Sequence, residues 1–395
     1  MEKLELRQKR NLYIILSVTL LSVAGVPSII PIFPELSEAL NVSRDKIGLL
    51  ITVFSLPGAI LAPVIGILAD RWGRKKILLV ALILFGVFGT LCFFSRVFEV
   101  ILVLRFFQGL GAACLGIVNI TLIGDVFSEG PRIRAMGYNS GVMSIATALF
   151  PAVGGLLAAI HWSYPFLIPL LAIVLAFLVY FYLDNPEPKD KPRLVHYFKK
   201  VIKSLRTRGA MMLFSLSFAT FLLLFGVIMT YLPIWLQEQF GMSSQQIGFL
   251  LSFVAVSTGV AASQLNRISR WLSMKYLIAS GFIAFMAGFI ILPYVNHIYG
   301  LLVLLLVVGV GQGINVPAVF NILTSIAPLE HRGAFMSVNS TAIRAGQALG
   351  PLFAGFLVGL WGLSWVFWIG AIVAACSLLL LMLFVPTFQH RESDR

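Results

Sequence analysis

Gly66-Ile67-Leu68-Ala69-Asp70-Arg71-Trp72-Gly73-Arg74-Lys75-Lys76 separates two long apolar runs, one ending near residue 68 and the next beginning at 77. Four basic residues crowd into positions 71–76, beside a glycine that permits a tight turn, and the sequence then returns at once to hydrocarbon. A soluble domain has no use for such a hairpin, but a chain that crosses a bilayer does. Basic loops collect on the cytoplasmic face of a membrane, and roughly 20 apolar residues are needed to cross its core.

The same alternation runs along all 395 residues. Apolar runs cover 12–33, 46–68, 77–95, 99–124, 135–160 and 165–183, then 210–233, 245–265, 276–294, 299–323, 334–360 and 364–387. Hydrophobic residues make up 59% and charged residues 11%, against about 25% charged in a soluble domain. Runs of this length are helices, because only a helix or a closed barrel satisfies its backbone in lipid. The alternating ten-residue pattern of a membrane barrel is absent. With the N-terminus placed in the cytoplasm, inside segments hold 24 Lys and Arg and outside segments hold 3, so both termini are expected to be cytoplasmic. The first run lacks a small-residue cleavage site and reads as a retained helix.

The formal net charge of +13 does not point to nucleic acid, because the basic residues lie between apolar runs rather than on one face. Cys92, Cys114 and Cys376 all fall inside apolar runs and suggest neither a disulfide framework nor a metal site.

The long polar interruption at 184–208 carries three prolines and eight basic residues. It is expected to link a bundle at 1–183 to another at 209–395 and to end in a basic amphipathic segment on the inner leaflet. The two halves repeat at an offset of 200 residues. Gly109 and Gly111 match Gly309 and Gly311, while Met136, Asn139, Ser140, Pro151 and Gly155 match Met336, Asn339, Ser340, Pro351 and Gly355. Such parallel repeats place a transport site between them.

With every defining position present, the Gly66–Lys76 loop resembles the G-x-L-A-D-R-x-G-R-K-K signature of the major facilitator superfamily. The resemblance implies an all-α integral membrane fold, with 12 transmembrane helices in two pseudo-symmetric six-helix bundles working by alternating access. Gly66 suits close helix approach and Gly73 a turn, while Asp70 suits the positive N-terminal end of the eleventh helix. The family implies a cytoplasmic latch here, with Asp125 a partner for Arg71 or Arg74. In the second-half counterpart Arg270 stands where Asp70 stands, so the gate is expected to be asymmetric.

Arg105-Phe106-Phe107-Gln108-Gly109-Leu110-Gly111-Ala112-Ala113 is similar to the family's R-x-x-Q-G-x-G-A-A motif, linked to proton coupling in antiporters. An arginine at that depth costs at least about 2.5–3.5 kcal/mol unless it finds a cavity, a partner or the headgroups. The fifth run keeps Pro151, Gly154 and Gly155 of the antiporter signature but has Ala146 and Phe150 for two glycines. The eleventh run, with Gly346, Gly350, Pro351 and Gly355, keeps more of it. Small residues with a proline suit a rocking interface. Pro31-Ile32-Phe33-Pro34 resembles the drug:proton antiporter branch.

No acidic residue is central in any run. Glu35 and Glu99 lie at outer ends and Asp125 at an inner end. The expected proton-coupling residues are Glu35, Arg105 and Gln108. The expected substrate-binding residues are Arg105, Asn119, Asn315, Asn339, Arg344 and Gln347, with Phe218 and Phe221 from a stripe at 214, 218, 221 and 225. Arg344 falls near the midplane, where it either pairs structurally or favours an anionic or zwitterionic substrate. The stripe either lines an apolar pocket or faces acyl chains. Gating is expected from Gly66, Asp70, Arg71, Gly73, Arg74, Asp125, Pro151, Gly155, Gly350 and Pro351.

No G-x-x-x-x-G-K-[ST] loop and no H-E-x-x-H cluster occurs, which argues against an ATP-driven pump and a metalloenzyme. The expectation is a non-enzymatic exporter of drug-like or amphiphilic small molecules in the cell membrane, driven by an ion gradient, of protons. It needs no cofactor, metal or nucleic acid, and works as a monomer in contact with lipid. The alternatives are a uniporter, antiporter or symporter of an anionic metabolite or lipid-like substrate, and a receptor or scramblase.

Overall fold

The computed structural model describes residues 6–184, 207–328 and 331–384. The surroundings of Gly66 and the side chain of Asp70 lie outside what the structure describes, as does most of the 184–208 linker.

Each apolar run carries a long helix. These are α1 Leu6–Ala24, α2 Leu49–Trp72, α3 Arg74–Phe94, α4 Phe98–Val126, α5 Glu129–Ala158 and α6 Leu170–Tyr182 in the first half. In the second half they are α7 Arg208–Phe240, α8 Ser244–Ser263, α9 Met274–Ile291, α10 Ile298–Ile326, α11 Arg332–Trp361 and α12 Ser364–Phe384. No strand occurs among the described residues. Among the described residues, ten of the helices, α3 to α12, are long and apolar enough to cross a membrane by length and composition, α6 when taken with the helical turns from Tyr164 that lead into it.

The breaks have identifiable causes. The first run is not one helix to residue 33. It stops at Ala24 and resumes as a single 3-10 turn, Ile30–Ile32, and a short helix, Phe33–Ala39. Gly25 and Pro27 stand just past Ala24, where Pro27 brings no N–H to continue the ladder, and Pro31 and Pro34 each stand in the first turn of a short segment. Between α2 and α3 the chain reverses at Gly73, whose φ of 89° disfavours any residue with a Cβ. Within α7, residues Leu224–Tyr231 loosen to a π-helix, a local form often found at functional positions.

The chain forms two compact units. One comprises Met1–Pro192 with Leu236–Ser252, and the other Arg193–Trp235 with Phe253–Arg395. The last turn of α7 and the start of α8 thus belong with the first unit.

Close helix crossings inside each unit repeat the 200-residue offset. A Cβ on Gly109 would strike the carbonyl oxygen of Phe54, and a Cβ on Gly309 would lie 2.9 Å from that of Val254. A Cβ on Gly111 would meet Ala81 O at 2.7 Å, and one on Gly311 would meet Gly281 O at 3.3 Å. All four pairs keep the same register, so the sequence repeat is a repeat of packing. Glycine lets α4 touch α2 and α3 in one unit, and α10 touch α8 and α9 in the other.

Candidate functional site: a sealed arginine, a charged turn and an acidic cleft

Arg105 is fully buried in the first unit. Its Nη1 donates to Gly25 O and to Gln108 Oε1, both at 2.7 Å, and Nε donates to Leu50 O at 3.4 Å. The guanidinium also lies 4.2 Å from the centroid of the Phe54 ring. No carboxylate among the described residues is bonded to it. Gly25 follows the last residue of α1, where carbonyls lack helical partners and the helix dipole favours a cation. The charge is therefore offset by backbone dipoles and one π face, and it does not snorkel to the headgroups. Arg105 Nη2 and Gln108 Nε2 remain without partners. This side chain locks α4 to α1 and α2 and is closed to solvent.

A second polar chain lies in the same unit. Asn119 Nδ2 donates to Ile15 O at 3.0 Å and to Thr19 Oγ1 at 2.5 Å, and Thr19 Oγ1 donates to Asn139 Oδ1. It ties α4, α1 and α5 together. In the second unit Asn315 Nδ2 donates to Ile278 O at 3.3 Å and its Oδ1 accepts from Thr220 Oγ1 at 3.2 Å, joining α10, α9 and α7. Asn119 and Asn315, two of the three asparagines expected to meet substrate, are thus engaged in helix-to-helix bonds.

On α11 the picture differs. Asn339 is buried with both amide atoms unpartnered, and the half-buried Arg344 has no ionic or hydrogen-bonded partner among the described residues. Gln347 is half-buried on the same helix. The phenylalanine stripe of α7 packs toward α11. Phe214 meets Phe335, Phe221 stacks on Phe225, and a Cβ on Gly346 would run into Phe218 O and Phe221 Cβ. Gly350 is equally tight against Leu222 O at 2.6 Å, beside the buried Pro351.

At the basic turn, Arg74 rather than Arg71 forms the ion pair with Asp125, while Arg71 is exposed. The Arg74 side chain is 11% exposed and that of Asp125 24%, so the pair is shielded from solvent. Lys75 Nζ donates to Leu183 O at 2.8 Å. Pro151 and Gly155 on α5 contact the start of α8. A Cβ on Gly248 would strike Pro151 O, one on Gly155 would lie 2.5 Å from Ser244 O, and Ala152 N donates to Ser252 Oγ at 3.0 Å.

Glu35 is half-buried and lines a cleft of about 510 Å³ at the opposite end of the first unit. Glu38, Arg44, Gln237, Glu238 and the buried Ser244 share its wall. Arg44 pairs with Glu238, and Gln237 Nε2 donates to Glu38 Oε1 at 3.2 Å. This cluster escaped sequence reasoning, which looked for charge inside spans. A signal existed: Glu38 and Glu238 are mates under the 200-residue repeat.

The sequence profile of the Major Facilitator Superfamily matches residues 15–342 and again 275–394. The chain is 29% identical over 401 aligned residues to the Bacillibactin exporter of Bacillus subtilis (strain 168), covering 98% of each. It is 26% identical to Multidrug resistance protein 1 of the same organism, covering 89% of this chain and 90% of that one. It is 27% identical to the Quinolone resistance protein NorA of Staphylococcus aureus, covering 84% and 86%. Among solved structures, a bacterial homolog to the human lysosomal transporter Spinster, inward-facing and occupied, aligns with TM-score 0.82 at 15% identity over 98% of both chains. The D-xylose-proton symporter aligns with TM-score 0.76 at 17% identity over 95% and 98%. These structural likenesses extend the shared fold to nearly the whole chain.

Proposed function

The chain belongs to the major facilitator superfamily, and from that premise we propose that it is a secondary active exporter of drug-like or amphiphilic small molecules, coupled to protons. The observation that carries export is the match over 98% of both lengths to an exporter, with multidrug and quinolone resistance proteins at similar identity. We further propose a monomer in the cell membrane with both termini cytoplasmic. Its halves, 1–183 and 209–395, alternate access, with Pro151, Gly155, Gly350 and Pro351 among the gating residues.

In this reading the Arg74–Asp125 pair steadies the cytoplasmic turn. Arg105 and Gln108 act as a fixed cationic brace, and Glu35 is the carboxylate that takes the incoming proton. The half-buried state of Glu35 and its place on an open acidic cleft support that role. Asn339, Arg344 and Gln347 on α11, with Phe218 and Phe221 on α7, supply the substrate surface. A second reading, transport of an anionic metabolite, is favoured by one observation: Arg344 has no acidic partner among the described residues.

The test is reconstitution in liposomes with an imposed pH gradient, followed as amphiphiles are added. Gradient collapse with lipophilic cations is the expected result. Collapse with anions alone would favour the Arg344 reading, and no response to either would remove the proton antiporter.

A further inference from the structure

At the basic end of the first unit, the start of α1 and the end of α6 enclose a groove of about 420 Å³. It is lined by Lys9, Arg10, Tyr13, Ile14, Leu178 and Tyr182, of which only Ile14 is buried. Both tyrosines are exposed, at 69% and 51%, and so is the neighbouring α6 surface of Phe177 and Phe181. Such a face belongs to lipid rather than to protein, and tyrosine favours the headgroup level.

The ends around this groove are stapled together. Arg10 Nη2 bonds Asp184 Oδ2 at 2.5 Å, Asp184 N donates to Asn11 Oδ1 at 3.3 Å, and Lys75 Nζ donates to Leu183 O. Lys9 has no carboxylate partner among the described residues, and Arg7 stands exposed close to it on α1. The Arg10–Asp184 pair is about half exposed on both sides, so Arg10 can share its guanidinium with another anion at little cost. Against one carboxylate the groove thus presents a surplus of cations above an apolar slot open to the bilayer.

We propose that this groove is a binding site for an acidic phospholipid of the inner leaflet. The phosphate is held by Lys9 and Arg10, the glycerol region lies between the tyrosine hydroxyls, and an acyl chain runs along Ile14 and Leu178. Basic pockets between helix ends on the cytoplasmic side suit such headgroups. The proposal rests on the cytoplasmic placement of the N-terminus, not on transport. It assigns the site a role in fixing the ends of α1 and α6 in the leaflet.

The test is native mass spectrometry of the purified, delipidated full chain titrated with phosphatidylglycerol or with phosphatidylcholine of the same acyl chains. Preferential retention of phosphatidylglycerol is expected. Lys9→Gln should weaken it about fivefold, the effect of one basic residue near an anionic surface. Asp184→Asn, which removes the competing carboxylate, should tighten it, and a merely misfolded variant would not do so. Equal retention of the two lipids, indifference to both substitutions, or displacement by millimolar inorganic phosphate would each overturn the proposal. Because binding is read without a gradient, none of these outcomes bears on the exporter reading.

Discussion

Gly109→Ala is the most discriminating single substitution in the first unit. The added methyl group points at the carbonyl oxygen of Phe54, a backbone atom that cannot swing aside. Overpacking of this kind costs about 1–3 kcal/mol, and replacing a mid-helix glycine returns about 1 kcal/mol, so a net loss of up to about 2 kcal/mol is expected. Gly124→Ala on the same helix is the control, because nothing lies within 4 Å of its Cβ and only the propensity gain applies. Gly309→Ala should fall between them, with 2.9 Å to Val254 O. The assay is thermal or denaturant unfolding of the three variants in one detergent, with transport measured in parallel. Transport should fall further than stability in Gly109→Ala, because Phe54 also carries the ring beneath Arg105 and must shift. If Gly109→Ala is as stable as Gly124→Ala, the close α2–α4 crossing is wrong.

Three further outcomes are expected. Glu35→Gln should abolish proton-linked export while leaving substrate binding, measured by equilibrium dialysis, within about twofold of the parent. Asp125→Asn removes the shielded carboxylate that pairs with Arg74 and should cost about 2–4 kcal/mol in unfolding, part of it recovered by adding Arg74→Gln. Thr220→Val removes the hydroxyl that reaches Asn315 and should cost about 0.5–1.5 kcal/mol, within the range of interhelical hydrogen bonds in bilayers; a larger loss would mean that the α7–α10 contact does more than this bond.

The helices were legible because a bilayer allows one local solution for an apolar run, so length and hydropathy suffice. The breaks were less so. Residues 25–33 are nearly as apolar as the helix before them, and only Gly25 and the prolines at 27, 31 and 34 betray the stop. The repeat was legible as residue identity at Gly109 and Gly309, and the structure shows why those glycines recur. Arg105 was legible as a buried charge needing a partner. Its actual partners, Gly25 O and Leu50 O, were not, because main-chain acceptors carry no residue signature. The cleft at Glu35 stayed hidden for a different reason: it joins Arg44 to Glu238 across almost two hundred residues, and charged residues in loops look like ordinary surface.

If export is coupled to protons as proposed, what the centre of the fold contains limits which group carries them. A guanidinium holds its protons throughout the physiological range, so Arg105 and Arg344 cannot carry an exchangeable one. The polar residues that tie α1, α4 and α5, and those that tie α7, α9 and α10, are amides and hydroxyls, which do not titrate there either. The proton must then ride on a carboxylate near an end, Glu35 foremost, or on the substrate itself. The two cases separate electrically. If Glu35 exchanges one proton for one monovalent cation, export moves no net charge and should be indifferent to a potential set with valinomycin, at any fixed pH gradient. If the substrate leaves protonated with no protein carrier, export should persist in Glu35→Gln and follow substrate charge. Potential-dependent export that survives Glu35→Gln would refute the placement of the proton on Glu35.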